Sequence, residues 1–162
     1  MSVFDTKTRT WASIPHAGKH VPEARDHAGA AVVGSKMYVL GGRRDGPENA
    51  RDTVFILDLC KLENGWKISS ARMPTPRGGL AAGVIGEKVY VLGGEGNVQV
   101  ESGVFNQVET YDTRKDSWES IGKMRVPRHG TSAVSVGGKV YVPGGGVSQG
   151  GAPVAVFDTF LL

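Results

Sequence analysis

The stretch Gly86-Glu87-Lys88-Val89-Tyr90-Val91-Leu92-Gly93-Gly94 decides the fold. It recurs as Gly34-Ser35-Lys36-Met37-Tyr38-Val39-Leu40-Gly41-Gly42 and again as Gly137-Gly138-Lys139-Val140-Tyr141-Val142-Pro143-Gly144-Gly145. The double glycines begin at 41, 93 and 144, so one unit of about 50 residues has been copied along the chain. A period of that length means an array of small structural units, each needing its neighbours to bury its apolar surface.

Working outward, alternation and turn punctuation divide each unit into four short strands. In the best-preserved unit, residues 79–85 are small and apolar (strand a). Residues 89–92 (strand b) are stopped by the double glycine, 107–112 alternate polar and apolar (strand c), and 118–121 follow a charged turn (strand d). The preceding unit reads the same way over 28–33, 37–40, 53–57 and 66–69. The following one reads so over 131–136, 140–142 and 154–157. Four antiparallel strands per unit describe the blade of a propeller.

Composition agrees with an all-β chain and narrows its setting. The 162 residues include 24 glycines at fixed offsets in the repeat, with 40% hydrophobic and 22% charged residues. A single cysteine, Cys60, rules out an internal disulfide or a cysteine-built zinc site. The first residues lack the apolar core of a secretory signal, and no apolar run reaches the roughly 18 residues of a membrane span. A cytoplasmic location is therefore expected, although an upstream signal lost from a fragment would change it. A net charge of +3 is too small to argue for nucleic acid, and neither nucleic acid nor membrane is expected as a partner.

The double glycines, the aromatic-Asp pairs Phe4-Asp5, Tyr111-Asp112 and Phe157-Asp158, and the tryptophans Trp11, Trp66 and Trp118 together resemble kelch repeats, over nearly the whole chain. The aromatic-to-tryptophan step is seven residues from Phe4 and from Tyr111. The second unit departs, with Leu57 in place of the aromatic, and Pro143 departs in the third. The resemblance implies an incomplete kelch-type β-propeller of about three four-stranded blades plus a leftover N-terminal c-d hairpin. The segments are residues 1–14 (the hairpin), 15–70, 71–121 and 122–162, the last without its own strand d. The Trp11 strand is a candidate to supply that missing strand, and a homodimer completing a six-bladed ring is one way to shelter the open blade faces.

In kelch propellers the loops from d to a and from b to c meet the ligand. Here the d-to-a loops carry Lys19, Arg25, Arg72, Arg77, Lys123, Arg125 and Arg128 against Glu23 and Asp26. The expectation is a protein-interaction module whose basic rim binds a partner with an acidic segment. Arg25, Arg43, Arg44, Arg77, Arg128 and His129 are the proposed contacts. The competing reading gives Pro76-Arg77 and Pro127-Arg128 a structural task inside the blade. His27 and His129 are read as equivalent residues opening strand a, with Gly79 matching them in the middle unit. Nothing completes a metal site around them, and no cofactor or catalytic residue is expected. The alternatives are a carbohydrate-acting propeller enzyme of the epimerase or oxidase type, or a non-autonomous fragment of a larger propeller. A copper-oxidase arrangement does not map onto Tyr38, Tyr90, Tyr111, Tyr141 and Cys60.

Overall fold

The computed structural model describes residues 2–161; Met1 and Leu162, which end the first and last expected segments, lie outside the described residues. The chain is all-β, and among the described residues the helical content is three single-turn 3₁₀ segments. An N-terminal hairpin joins β1 (Ser2–Asp5) to β2 (Thr10–Ser13). The first blade is β3 (Gly29–Val33), β4 (Lys36–Leu40), β5 (Val54–Asp58) and β6 (Trp66–Ile68), paired in that order. The second is β7 (Ala81–Ile85), β8 (Lys88–Leu92), β9 (Gln107–Asp112) and β10 (Ser117–Lys123), also in sequence order. The third has three strands, β11 (Val134–Val136), β12 (Lys139–Pro143) and β15 (Phe157–Leu161). A small hairpin of β13 (Gly146–Ser148) and β14 (Gly151–Pro153) intervenes between the last two. These sheets stack as propeller blades, and among the described residues they follow one another without closing a ring.

Register aligns the blades residue by residue. Tyr38 lies between Ala31 and Ile56, Tyr90 between Gly83 and Thr110, and Tyr141 between Val134 and Thr159. The first and second blades each bury one face on the next. Ala31, Val33, Tyr38, Leu40 and Val54 of the first blade pack in one cluster with Leu80, Val89, Val91 and Tyr111 of the second. Tyr90, Leu92 and Val108 of the second pack with Val140 and Val142 of the third. Burying a side chain of that size stabilises by roughly 1.5–3 kcal/mol, which is why no blade is stable without a neighbour.

The double glycine exists because of this stacking. Gly41 and Gly42 take positive φ (58° and 90°). The Gly42 amide donates to the carbonyl of Arg77 in the next blade at 3.0 Å. A Cβ on Gly41 would stand 2.7 Å from that same oxygen, so any side chain would push the blades apart. A second tie lies farther out, where Asp116 accepts hydrogen bonds from the hydroxyls of Tyr111 (2.6 Å), Ser70 (2.6 Å) and Ser69. Burial alone would raise the Asp116 carboxyl. The hydrogen bonds from Ser69, Ser70 and Tyr111 outweigh it and hold the group below the usual carboxylate range.

Three details differ from the sequence reading. Strand c of the third blade is Phe157–Leu161, not 154–157, because the inserted β13–β14 hairpin delays the return of the chain. Its counterpart of Tyr111 is therefore Phe160, opposite Val140 as Tyr111 is opposite Val89, and Phe157 matches Val108. The Trp11 strand does not complete the third blade: β2 pairs with β1 among the described residues, and Trp11 is 71% exposed. Pro143 does sit at the end of its strand, and the β11–β12 pairing stops at Val134–Tyr141 where the other blades carry it on to Gly29–Leu40 and Ala81–Leu92.

Candidate functional site

The three arginines that lead into the blades are internal. Arg77 is fully buried. Its Nε donates to the Gly93 carbonyl (2.6 Å) and its Nη1 to Glu109 Oε2 (2.7 Å), while Thr75 binds the other Glu109 oxygen (2.6 Å). Burial lowers the Arg77 guanidinium from its usual value and Glu109 pulls it back. Arg128 repeats the carboxylate contact, with Asp158 (2.6 Å), and its Nη1 donates to the Val156 carbonyl (2.8 Å). Asp158 faces Val142 as Glu109 faces Val91, so the two carboxylates hold equivalent places in strand c. In the first blade that place belongs to Phe55, opposite Val39. Arg25 lies 4.0 Å above the Phe55 ring centroid, bonds Gly41 and Thr53, and takes its carboxylate from Glu23 instead (2.7 Å). Glu23 is itself held below the usual range by hydrogen bonds from Arg51 and then Arg25. The expected outward-facing trio is thus corrected: Arg25, Arg77 and Arg128 brace their own blades, and their guanidinium groups do not present themselves to a partner.

The same alignment corrects the histidines. Asp26, Gly78 and His129 follow the three arginines and bridge to Arg43, Glu95 and Gly146, the residues after the double glycines. His27 therefore matches Gly79 and Gly130, and all three take positive φ (54°, 62° and 64°). His129 stands one place earlier. A non-glycine residue at such a φ is uncommon, and His27 is the member of its set that departs from glycine.

These non-repeating residues meet in a cleft of about 470 Å³ lined by His27, Arg43, Glu95, His129 and the glycines 130, 145, 146, 150 and 151. Arg43 is its hub, bonded to Asp26 (2.8 Å) in its own blade and to Glu95 (2.9 Å) in the next. Hydrogen bonds from Arg43 and then His27 hold the Asp26 carboxyl below its usual range. His27 Nδ1 lies 2.6 Å from Asp26 Oδ1, and its Nε2 is 3.2 Å from Arg43 Nη2. Glu95 is buried, accepts the Gly150 amide (3.2 Å), and places Oε2 3.3 Å from His129 Nδ1 without hydrogen-bond alignment. His129 Nε2 is 2.8 Å from the Ser148 carbonyl, which only accepts, so that nitrogen carries a proton. A chain of polar contacts, Asp26 to Arg43 to Glu95 to His129, thus crosses all three blades at the inner rim.

Of the sequence-expected contacts, the cleft brings together Arg43 and His129. Arg44 lies outside it, exposed and 3.3 Å from Asp45. Asp26, His27 and Glu95 were not expected; the signal was the position after each double glycine, where Arg43, Glu95 and Gly146 break the repeat. Among the described residues no group of three or more His, Cys, Asp or Glu side chains is disposed to hold a metal ion. No helix there is long and apolar enough to cross a membrane.

Comparison with known proteins agrees with the blades. A family model described as the KLHDC2/KLHL20/DRC7 Kelch-repeats domain matches residues 1–160. The chain is 34% identical over 159 residues to Kelch-like protein terF of Aspergillus terreus, covering 98% of this chain and 33% of that protein. It is 33% identical over 156 residues to Kelch-like protein 15 of Gallus gallus (94% and 30%). It is 32% identical over 155 residues to an N-(sulfonatooxy)prop-2-enimidothioate sulfolyase of Thlaspi arvense (91% and 42%). The chain therefore spans about a third of the length of the first two of these curated relatives. With its blade register, buried lead-in arginines and double-glycine stacking, the chain belongs to the kelch-repeat family.

Proposed function

We propose that the chain is a protein-interaction module of the kelch type, whose contact surface is the loop side around the His27–Arg43–Glu95–His129 cleft. What carries this reading is the contrast between repeating and non-repeating positions. Residues needed by every blade recur: the lead-in arginines, the double glycines and the strand b tyrosines. The bridged positions at the cleft change identity from blade to blade, as Arg43, Glu95 and Gly146 do in its lining and as their bridge partners Asp26, Gly78 and His129 do. Freedom from the repeat leaves those side chains available for recognition.

The preferred partner has an acidic segment. With Arg25, Arg77 and Arg128 internal, that preference rests on Arg44 and Arg72, each half exposed, and on Lys123 and Arg125, which are exposed and make no ion pair among the described residues. Arg43 and His129 then contact the part of the partner that enters the cleft. Such rim charges act on association rate and salt dependence more than on final affinity. The setting is cytoplasmic, in keeping with the exposed, unpaired Cys60, and the reading requires neither nucleic acid nor membrane. A fluorescent ten-residue polyglutamate peptide tests it. Binding should weaken as salt rises from 50 to about 300 mM and fall several-fold in Arg44→Glu/Arg125→Glu. Binding indifferent to both changes removes the acidic-partner reading.

A second reading, an enzyme acting on a carbohydrate in the cleft, draws on the paired Asp26–His27 and Glu95–His129 groups, and on a relative named for a lyase activity. Turnover of a sugar substrate that is lost in His129→Gln and kept in Arg44→Glu/Arg125→Glu would favour it over the first.

A further inference from the structure

We propose that the open face of the third blade is covered by the first blade of a second copy of this chain, joined head to tail. Each internal blade junction is built from the same three main-chain hydrogen bonds. At the first, the amide of Met73 reaches the Asp52 carbonyl (2.8 Å), that of Gly42 the Arg77 carbonyl (3.0 Å), and that of Gly79 the His27 carbonyl (2.8 Å). At the second, Met124 reaches Asn106 (2.6 Å), Gly94 reaches Arg128 (2.9 Å) and Gly130 reaches Gly79 (2.8 Å). Carrying the register one blade further, the third blade's trailing face offers the Ala155 carbonyl, the Gly145 amide and the Gly130 carbonyl. None of these has a hydrogen-bond partner among the described residues. The leading face of the first blade offers the matching groups: the Val21 amide, the Arg25 carbonyl and the His27 amide, likewise without partners among the described residues. Donors meet acceptors at all three places, and both sets lie on one chain.

The side chains agree. On the trailing side, Val134, Val136 and Phe157 are 57%, 63% and 64% exposed. Their counterparts Ala31, Val33 and Val54 in the first blade are buried under the second. On the leading side, Val21 is 38% exposed, while Met73 and Met124, which hold its place, are buried against the preceding double glycine. Ala30 and Val32 are exposed, where their counterparts Ala82 and Val84 pack into the first cluster. Among the described residues the outer part of this leading side is already sheltered: Gly18 lies against Leu57 and accepts the Trp66 indole N–H (3.2 Å). The inner strands remain open to receive β11 and β12 of the second copy. Two such contacts related by a two-fold axis close on themselves, where a one-sided contact would go on adding chains.

Light scattering on the purified full chain at micromolar concentration tests this, with twice the chain mass expected. Val134→Asp/Val136→Asp, which alters only exposed positions, should return a folded monomer. In a Cys60→Ser background, Val21→Cys/Ala155→Cys should give a disulfide-linked dimer on mild oxidation, and neither single cysteine should, because the junction bond brings those backbones within disulfide reach. A folded wild-type monomer overturns the proposal. So does a dimer that keeps its mass in Val134→Asp/Val136→Asp and fails to cross-link.

Discussion

The second and third blades share one grammar and differ in how much of it is satisfied. In the second, Tyr90, Leu92 and Val108 are buried by the next blade; in the third, their counterparts are Tyr141, Pro143 and Phe157, two of them exposed and Tyr141 partly so. Tyr141 and Phe157 stack on each other at 5.9 Å between ring centroids instead of meeting a neighbour. The same sequence positions thus carry different energetic weight, and the difference is set by what packs on the blade rather than by the residue type.

The glycine positions break or sharpen this comparison most strongly. Gly93 and Gly144 both take positive φ (60° and 55°), but a Cβ at Gly93 would overlap the Arg128 carbonyl, while one at Gly144 meets only the Val154 oxygen at 3.5 Å. In the Val134→Asp/Val136→Asp monomer, urea unfolding should show Gly93→Ala losing about 3–4 kcal/mol from strain and overpacking together, and Gly144→Ala about 1 kcal/mol from strain alone. Equal losses would remove the stacking account of the double glycine.

The tryptophans come next. Trp118 packs on Tyr111 (5.1 Å between centroids) and against the first cluster, whereas Trp11 meets Phe4 (5.2 Å) on an open hairpin. Trp118→Ala should cost about 3 kcal/mol. Trp11→Ala should stay within about 0.5 kcal/mol, as exposed positions do. A large loss at Trp11 would mean that the hairpin has a cover of its own.

The smallest effect is the outer tie. The Asp116 carboxyl titrates lower in the folded chain than the roughly 3.9 of an unfolded aspartate. A depressed carboxyl contributes stability that is present above the unfolded value and lost as pH falls toward the folded one. Asp116→Asn should therefore lower stability by about 1 kcal/mol at pH 7, and the gap to wild type should narrow below about pH 4. A gap independent of pH would assign the effect to packing.

Much of the fold was legible because the repeat states it three times: strand b, the double glycine and Tyr111 with Trp118 all fall where periodicity puts them. The third strand c was misplaced because Phe157-Asp158 imitates Tyr111-Asp112, and only pairing of Val140 with Phe160 breaks the tie. The rim was harder. An arginine after a proline reads as an exposed cation, and nothing local to Arg77 reveals that Glu109, 32 residues later, closes over it. The cleft was half legible: Arg43 and His129 were named for their charge and position, but the one-residue offset between His27 and His129 hid the positive-φ set until backbone angles supplied it.

Thermal unfolding of Arg77→Ala beside Arg44→Ala tests most directly the claim that what repeats holds the blades while what varies meets the partner. Removing Arg77 strands the buried Glu109 charge, so that variant should lose about 3–5 kcal/mol of stability, while Arg44→Ala melts with wild type. An Arg77→Ala chain as stable as wild type would contradict the account and return that guanidinium to the binding surface.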